Sequence, residues 1–147
     1  MRCLGKIFLI LILLVAGFVG YGIWQGPTLD AQSKAFVDSA VPAICSTWNK
    51  DEVLNRASPE FTQTVSKRDV SALLSALSRR LGRFVRYDGA KGDSNFGFTN
   101  KGVSLTARYV AKAQFSNGPA VIHFSLVKRG GQWQLLNFLF ESPALLR

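Results

Sequence analysis

The chain has 147 residues, a hydrophobic content of 48% and a net charge of +9 at pH 7. Residues 30–147 leave room for one domain of ordinary size and exclude a second. The two cysteines, Cys3 and Cys45, lie on either side of an apolar stretch and are not expected to pair within the chain. Cys45 is expected to be a small buried residue on a helix.

The apolar stretch is unbroken over residues 7–24 and comes after Arg2 and Lys6. With a rise of about 1.5 Å per residue it would form a helix of roughly 27 Å, close to the ~30 Å hydrocarbon layer of a bilayer. A cleaved secretory signal is the alternative, but a signal core usually has only about 7 to 15 apolar residues. The pattern therefore predicts an uncleaved transmembrane helix.

Basic residues before an apolar stretch keep the N-terminus in the cytoplasm, and either the anchor or a cleaved signal implies export of the C-terminal remainder of the chain. The predicted organisation is a cytoplasmic N-terminus at 1–6, a transmembrane helix at 7–24, a linker at 25–29 and an exported domain at 30–147. The expected location is the bacterial inner (plasma) membrane, with the domain in the periplasm or outside the cell. The lipid bilayer is the predicted partner of residues 7–24.

The basic charge favours contact with anionic surfaces such as lipid head groups, cell-wall polymers or acidic proteins. The alternative is that the charge only keeps the domain soluble. Nucleic acid is not expected as a partner on the exported side of a membrane.

Helical periodicity marks the first half of the exported domain. Asp30 is an N-cap candidate, and apolar residues then recur at helical spacing as far as Trp48, with Pro42 expected to kink or divide the helix. Asn49 and Asp51 are candidates to cap a short helix, and a turn is expected at 58–61.

The most regular helix is predicted between Ser66 and Gly82. Ser66 and Asp69 resemble a capping pair, and Gly82 is a typical helix end. Between them, apolar residues recur at i, i+3, i+4, i+7 and i+11, which places them on one face. These residues are Val70, Leu73, Leu74, Leu77 and Leu81.

After Gly82 the apolar period changes from 3.6 to 2, which indicates strands. The predicted segments are a strand at 83–88, a polar loop at 89–95, and strands at 103–115, 120–128 and 132–141. The dipeptides Asn117-Gly118 and Gly130-Gly131 are typical of tight turns. Because the last strand is apolar on both faces, we expect it to be central in the sheet or to cover a partner.

The final strand contains a G-x-W-x-L-x-x-F pattern, formed by Gly131, Trp133, Leu135 and Phe138. Helices followed by such a meander resemble the NTF2-like (cystatin-like) superfamily over residues 31–142, especially its small bacterial membrane-anchored proteins with one exported domain. The resemblance implies an α+β fold, with a transmembrane helix followed by a cone of helices packed on a curled antiparallel sheet. It also implies a pocket at the mouth of the cone. No catalytic pattern of the superfamily matches this chain, so no catalytic residue is carried over.

Three residues are candidates for that pocket. His123, the only histidine, could carry protons there, but Ile122 and Phe124 suit the core better and place it on the more polar side of its strand. We therefore favour an ordinary hydrogen-bonded histidine. Tyr87 and Tyr109 could line the cone mouth, or they could only pack against the sheet.

A basic group is formed by four arginines, Arg79, Arg80, Arg83 and Arg86. Arginines in the last turn of a helix complement its dipole, and the alternative is an anion-binding patch. The sequence contains no metal-ligand cluster, nucleophile motif or phosphate loop, so no metal or cofactor is predicted.

These observations favour a membrane protein whose exported NTF2-like domain is a non-catalytic binding or assembly module. A protein partner, including a second copy of the chain, is expected to bind through the sheet. The alternative is a small apolar-ligand-binding protein, or a ketosteroid-isomerase-like enzyme, that uses the cone pocket. A third hypothesis is attraction of the domain to anionic lipid or wall polymer.

Overall fold

The computed structural model describes residues 30–100 and 102–146, in which helices are followed by an antiparallel sheet. Helix α1 covers residues 30–47 of this part. The other helices are α2 (Lys50–Leu54), α3 (Pro59–Thr64) and α4 (Lys67–Leu81). The strands are β1 (Phe84–Thr99), β2 (Gly102–Phe115), β3 (Gly118–Arg129) and β4 (Gln132–Glu141), and a 3-10 helix, Pro143–Leu146, comes after them.

The fold class predicted from the sequence needs correction. The described residues form an α+β fold with a four-stranded antiparallel sheet, but none of their helices is long and apolar enough to cross a membrane. The physical reason is amphipathicity: α1, for example, buries Val37 and Val41 and exposes Lys34. A transmembrane helix followed by an NTF2-like cone is therefore wrong as the fold of this part of the chain. The predicted segments 1–6, 7–24 and 25–29 lie outside the described residues.

Polar N-caps define where the helices after α1 begin. The side chains of Asn49, Ser58 and Ser66 accept backbone N–H groups from the first turns of α2, α3 and α4, at 2.9, 3.3 and 3.1 Å. The caps at Asn49 and Ser66 confirm the sequence analysis. The turn expected at 58–61 is instead the start of α3, because Pro59 occupies the first helical turn, where its missing N–H has no cost. Pro42 does not divide α1, which stays helical to residue 47.

The strands are arranged in the order β1-β2-β3-β4. The prediction that the last strand is central is wrong, because β4 lies at an edge of this sheet. Part of that edge is paired with the loop before α3. The Leu135 N–H donates to the Arg56 carbonyl at 2.6 Å, and the Ser58 N–H donates to the Leu135 carbonyl at 2.8 Å. The N–H and the carbonyl of Leu135, which an edge strand would leave unpaired, therefore both have hydrogen-bond partners.

Strand β1 is longer than the sequence indicated. It continues through the loop predicted at 89–95 and pairs with β2 as far as the Thr99–Gly102 pair. Gly89 has a positive φ of 102° next to a register shift, which is typical of a β-bulge. A Cβ at Gly92 would overlap the backbone carbonyl of Arg108. Glycines in this segment therefore serve strand pairing, although they are also typical of loops.

Helix α1 runs alongside β2 and contacts it near both ends. The Ser33 hydroxyl lies 2.7 Å from the Tyr109 hydroxyl, and the rings of Trp48 and Phe115 stack with centroids 5.7 Å apart. At a rise of about 1.5 Å per helical residue, Ser33 to Trp48 spans roughly 22 Å. At about 3.3 Å per strand residue, Tyr109 to Phe115 spans roughly 20 Å, so helix and strand match in length between the two contacts. The β2 residues between these contacts that lie on the same face as Tyr109 and Phe115 are buried alanines, Ala111 and Ala113.

The helices bury one side of the sheet, which we call the inner face. The apolar side chains between them are almost fully buried, so they fill the space that a hollow cone would leave open. The largest apolar side chains that are completely buried are Val37, Val41, Val53, Val70, Leu74, Leu81, Ile122, Leu126 and Leu135. Cys45 is also buried in this core, as predicted, and burial raises the pKa of its thiol to about 12.

We expect the substitution Leu74→Ala to lower the free energy of unfolding by about 2 to 5 kcal/mol, because it leaves a cavity in the core. Leu73, the preceding residue of α4, is 44% exposed, so Leu73→Ala should cost roughly 0.5 kcal/mol or less. Urea denaturation followed by circular dichroism would measure both values. Equal losses for the two variants would contradict the described packing of α4.

Candidate functional site

The three pocket candidates from the sequence lie on opposite faces of the sheet. In β2, Tyr109 alternates with Val110, and Val110 is the residue paired with His123 of β3. Tyr87 pairs with Ala113 and shares the inner face with Tyr109. The structure therefore brings the two tyrosines to the helices and places His123 on the other side, the outer face.

Tyr109 is buried against the start of α1. Its hydroxyl lies 2.7 Å from the Ser33 hydroxyl and donates to the Asp30 carbonyl oxygen at 3.0 Å. Burial raises the pKa of Tyr109, and the carboxylates of Asp30 and Asp93 raise it further although the Ser33 hydrogen bond opposes them. Tyr109 is therefore a protonated structural contact, and we assign it no acid–base role.

Tyr87 forms the corresponding contact further along α1. Its hydroxyl donates to one carboxylate oxygen of Asp38 at 2.6 Å, and the Lys34 ammonium group binds the other oxygen at 2.8 Å. Partial burial opposes ionisation of Asp38, but the hydrogen bonds from Lys34 and Tyr87 outweigh it and lower the pKa. Burial, followed by the Asp38 contact, raises the pKa of Tyr87. At neutral pH this pair is an ionised acceptor and a protonated donor.

The α1 residues in these contacts were missed by sequence reasoning. Ser33 and Asp38 are polar residues inside a helical pattern, and such residues usually face solvent. Ser94, in the segment predicted as a loop, donates its backbone N–H to the Asp30 carboxylate at 2.9 Å, and its hydroxyl contacts the same oxygen. Nothing in the local sequence of these residues indicates a partner so far away along the chain.

The outer face brings His123 close to an acidic residue. Its Nε2 atom lies 3.3 Å from a carboxylate oxygen of Glu141, within ion-pair distance but without hydrogen-bond geometry. Both side chains are about half exposed, but the Nε2 atom itself is shielded from solvent and has no hydrogen-bond partner among the described residues. Apolar residues flank His123 in its row across the sheet: Val110 is 39% exposed and Leu139 is 55% exposed. This open surface has the character of a contact face.

The four arginines are placed around the end of α4 and the start of β1. Arg79 and Arg80 occupy the last turn of α4, and Arg80 donates to the Leu145 carbonyl at 3.3 Å. The Arg83 backbone N–H donates to the Ser116 hydroxyl, and Arg86 forms an ion pair with Asp88 at 2.8 Å. Positive charge in the last turn complements the dipole of α4, whereas the Arg83 contact is made by its backbone and the Arg86–Asp88 pair is exposed to solvent.

No group of three or more metal-ligating side chains occurs within residues 30–100 and 102–146. Comparison of the chain with protein-family models, with curated proteins and with solved structures finds no match. The resemblance to the NTF2-like superfamily therefore stays a prediction from sequence.

A double-mutant cycle should reveal coupling between Ser33 and Tyr109. Tyr109→Phe removes a buried hydroxyl and should lower the free energy of unfolding by about 1 to 2 kcal/mol, as should Ser33→Ala. The double variant should cost clearly less than the sum, because one interaction is lost twice in that sum. Urea denaturation of the four proteins would measure the coupling, and additive losses would contradict the contact.

Acid should weaken the contact between α1 and β1. The pKa of Asp38 is lower in the folded than in the unfolded chain, so its contribution is present above the unfolded value of about 3.9 and is lost as pH falls below it. Tyr87→Phe removes one donor and should reduce the part of the stability that is lost between neutral pH and about pH 3. Urea midpoints at several pH values would show this. An unchanged pH profile in Tyr87→Phe would contradict it.

Proposed function

We propose that this chain is a non-catalytic assembly module on the exported side of a bacterial membrane and that it pairs with a second copy through the outer face of its sheet. The observation that carries the proposal is the self-complementary pattern of this face. One row across β2, β3 and β4 reads Lys112, Val121 and Glu141, and the next reads Val110, His123 and Leu139. The two ends of the first row carry opposite charges, and both ends of the second row are apolar.

A two-fold axis parallel to β3 makes the pattern complementary to itself. Rotation about that axis places β2 of one copy over β4 of the other and keeps each row at the same height. Lys112 then faces the second copy's glutamate from the same row, and Val110 faces its leucine. Sheets pack face to face about 10 Å apart, which a lysine and a glutamate can span together.

The area of this face determines how strong the pairing can be. A third row reads Arg108, Ser125 and Asn137. The nine residues of the three rows, at about 4.8 by 6.8 Å each, cover roughly 300 Å² per copy, compared with about 800 Å² in a stable interface. The proposed dimer is therefore weak in dilute solution. Two copies held at one membrane have a much higher effective concentration, which favours the weak contact.

The proposed location rests on the sequence. An apolar stretch at 7–24 after Arg2 and Lys6 is typical of a segment that brings a chain to the membrane and leads to export of the residues C-terminal to it. The alternative function, a ligand or substrate inside the cone, has less support among the described residues. The inner face carries buried side chains such as Ile122 and Phe124, and both tyrosine hydroxyls bind α1.

Thiol cross-linking in vesicles tests the pairing. His123 lies on the proposed axis, so His123→Cys in the full chain, with Cys3→Ser, should give dimers with a bismaleimide of about 10 Å reach. Cys45 is buried and its pKa is about 12, so it should react slowly. Val85→Cys is the control, because Val85 is 53% exposed but lies on edge strand β1.

Charge reversal gives the specific check on orientation. Lys112→Glu should reduce the yield of cross-linked His123→Cys dimer several-fold by placing like charges opposite each other. Adding Glu141→Lys should restore the yield, because the two charges are then exchanged. Equal cross-linking of the His123→Cys and Val85→Cys variants, or no rescue by the second charge change, would rule out this dimer. Monomers at high density in the vesicles would also rule it out.

A further inference from the structure

The hairpin formed by β1 and β2 ends in an exposed apolar tip. Phe96, Phe98 and Val103 are 64%, 88% and 66% exposed. Phe98 pairs with Val103, and Phe96 pairs with Leu105, so these side chains share the inner-face side of the hairpin. They extend past Ser94, the residue that contacts Asp30 at the first described position of α1. Large exposed aromatic residues that are grouped in this way usually mark a contact site.

The same tip lies where the chain enters the described domain. Ser94 holds the Asp30 carboxylate and is two residues from Phe96, which is roughly 7 Å along a strand. Residues 25–29 connect Asp30 to the apolar stretch at 7–24, and an extended chain covers at most about 3.6 Å per residue. The chain between residue 24 and Asp30 can therefore span at most roughly 20 Å, and the hairpin tip lies close to Asp30, where that segment joins the domain.

Cationic and polar groups surround the tip. Lys128 pairs with Leu105 across the sheet, and Arg129 comes next at the end of β3. An open groove of about 760 Å³ at this end is lined by Asn100, Val103, Ser104, Val127, Lys128, Arg129 and Glu60, the carboxylate that pairs with Arg129. Apolar rings beside cations are the combination that binds the interfacial layer of an anionic bilayer.

We infer that the β1–β2 hairpin tip inserts its phenylalanine side chains into the head-group layer of the bilayer that the apolar stretch at 7–24 occupies. This inference rests on the proposed membrane association. It adds a second contact, made by Phe96, Phe98 and Val103 with phospholipid, that fixes the orientation of the domain. Rings at this depth lie about 5 to 10 Å into the boundary between head groups and acyl chains.

Depth-dependent fluorescence quenching tests the contact in the full chain. Phe98→Cys, with Cys3→Ser, would carry an environment-sensitive dye in vesicles of phosphatidylcholine and phosphatidylglycerol that contain a lipid with a nitroxide near the glycerol. The nitroxide should reduce the emission on the order of twofold, because the dye sits at its depth. Val85→Cys is the control: it lies thirteen positions earlier in β1, roughly 43 Å along the strand, and should be unaffected.

The other outcomes overturn the inference in distinguishable ways. If the chain floats with the vesicles but the dye at position 98 is quenched no more than the dye at 85, the tip does not contact lipid, and the membrane association stands. A dye at 98 that is shielded from aqueous iodide but not quenched by the lipid nitroxide would show that protein covers the tip. A chain that fails to float with the vesicles would contradict both the membrane association and the tip contact.

Discussion

The contact between α1 and β2 is the constraint on which the rest of the structure depends. The helix contacts the strand at Ser33, which meets Tyr109, and Trp48, the residue after the last turn of the helix, stacks on Phe115. Alanines between those aromatic residues leave room for the helix to lie close to the sheet. Because one face of β2 packs against α1, every second residue of β2 must point away from the core. The open outer face is therefore a direct consequence of how the inner face packs.

The helical half could be predicted wherever local chemistry was sufficient. The cap at Ser66, the apolar spacing that buries Leu74 and the end at Gly82 are all local, and they agree with α4. The predictions failed where contacts between residues far apart in the sequence determine the structure. Glycines at 89–95 indicated a loop, but fourteen residues of β2 were available to pair with that segment, and Gly92 permits the close approach to Arg108. The central position expected for β4 failed because apolar residues on both faces do not specify the number of neighbouring strands.

The candidate site was predictable only in part for a similar reason. Alternation within β3 correctly separated His123 from Ile122, because that requires only the period of a strand. The placement of Tyr87 and Tyr109 needed the position of α1, whose Asp38 and Ser33 contact their hydroxyls. Proximity of a histidine to a carboxylate needed the register between β3 and β4. Such long-range pairings leave no trace in a single sequence, since each residue has an ordinary local role.

The proposed dimer and the proposed membrane contact impose the same geometry, although different residues carry them. A two-fold axis parallel to β3 keeps both copies pointing in one direction along their strands, so both β1–β2 hairpin tips lie at the same end. Two chains attached to one bilayer can be related only by an axis along the membrane normal. An axis perpendicular to the strands would place the two tips, and the two Asp30 residues, at opposite ends of the dimer. The opposite charges of Lys112 and Glu141 favour the axis parallel to β3, and attachment of both proposed copies to one bilayer favours the same axis for an independent reason.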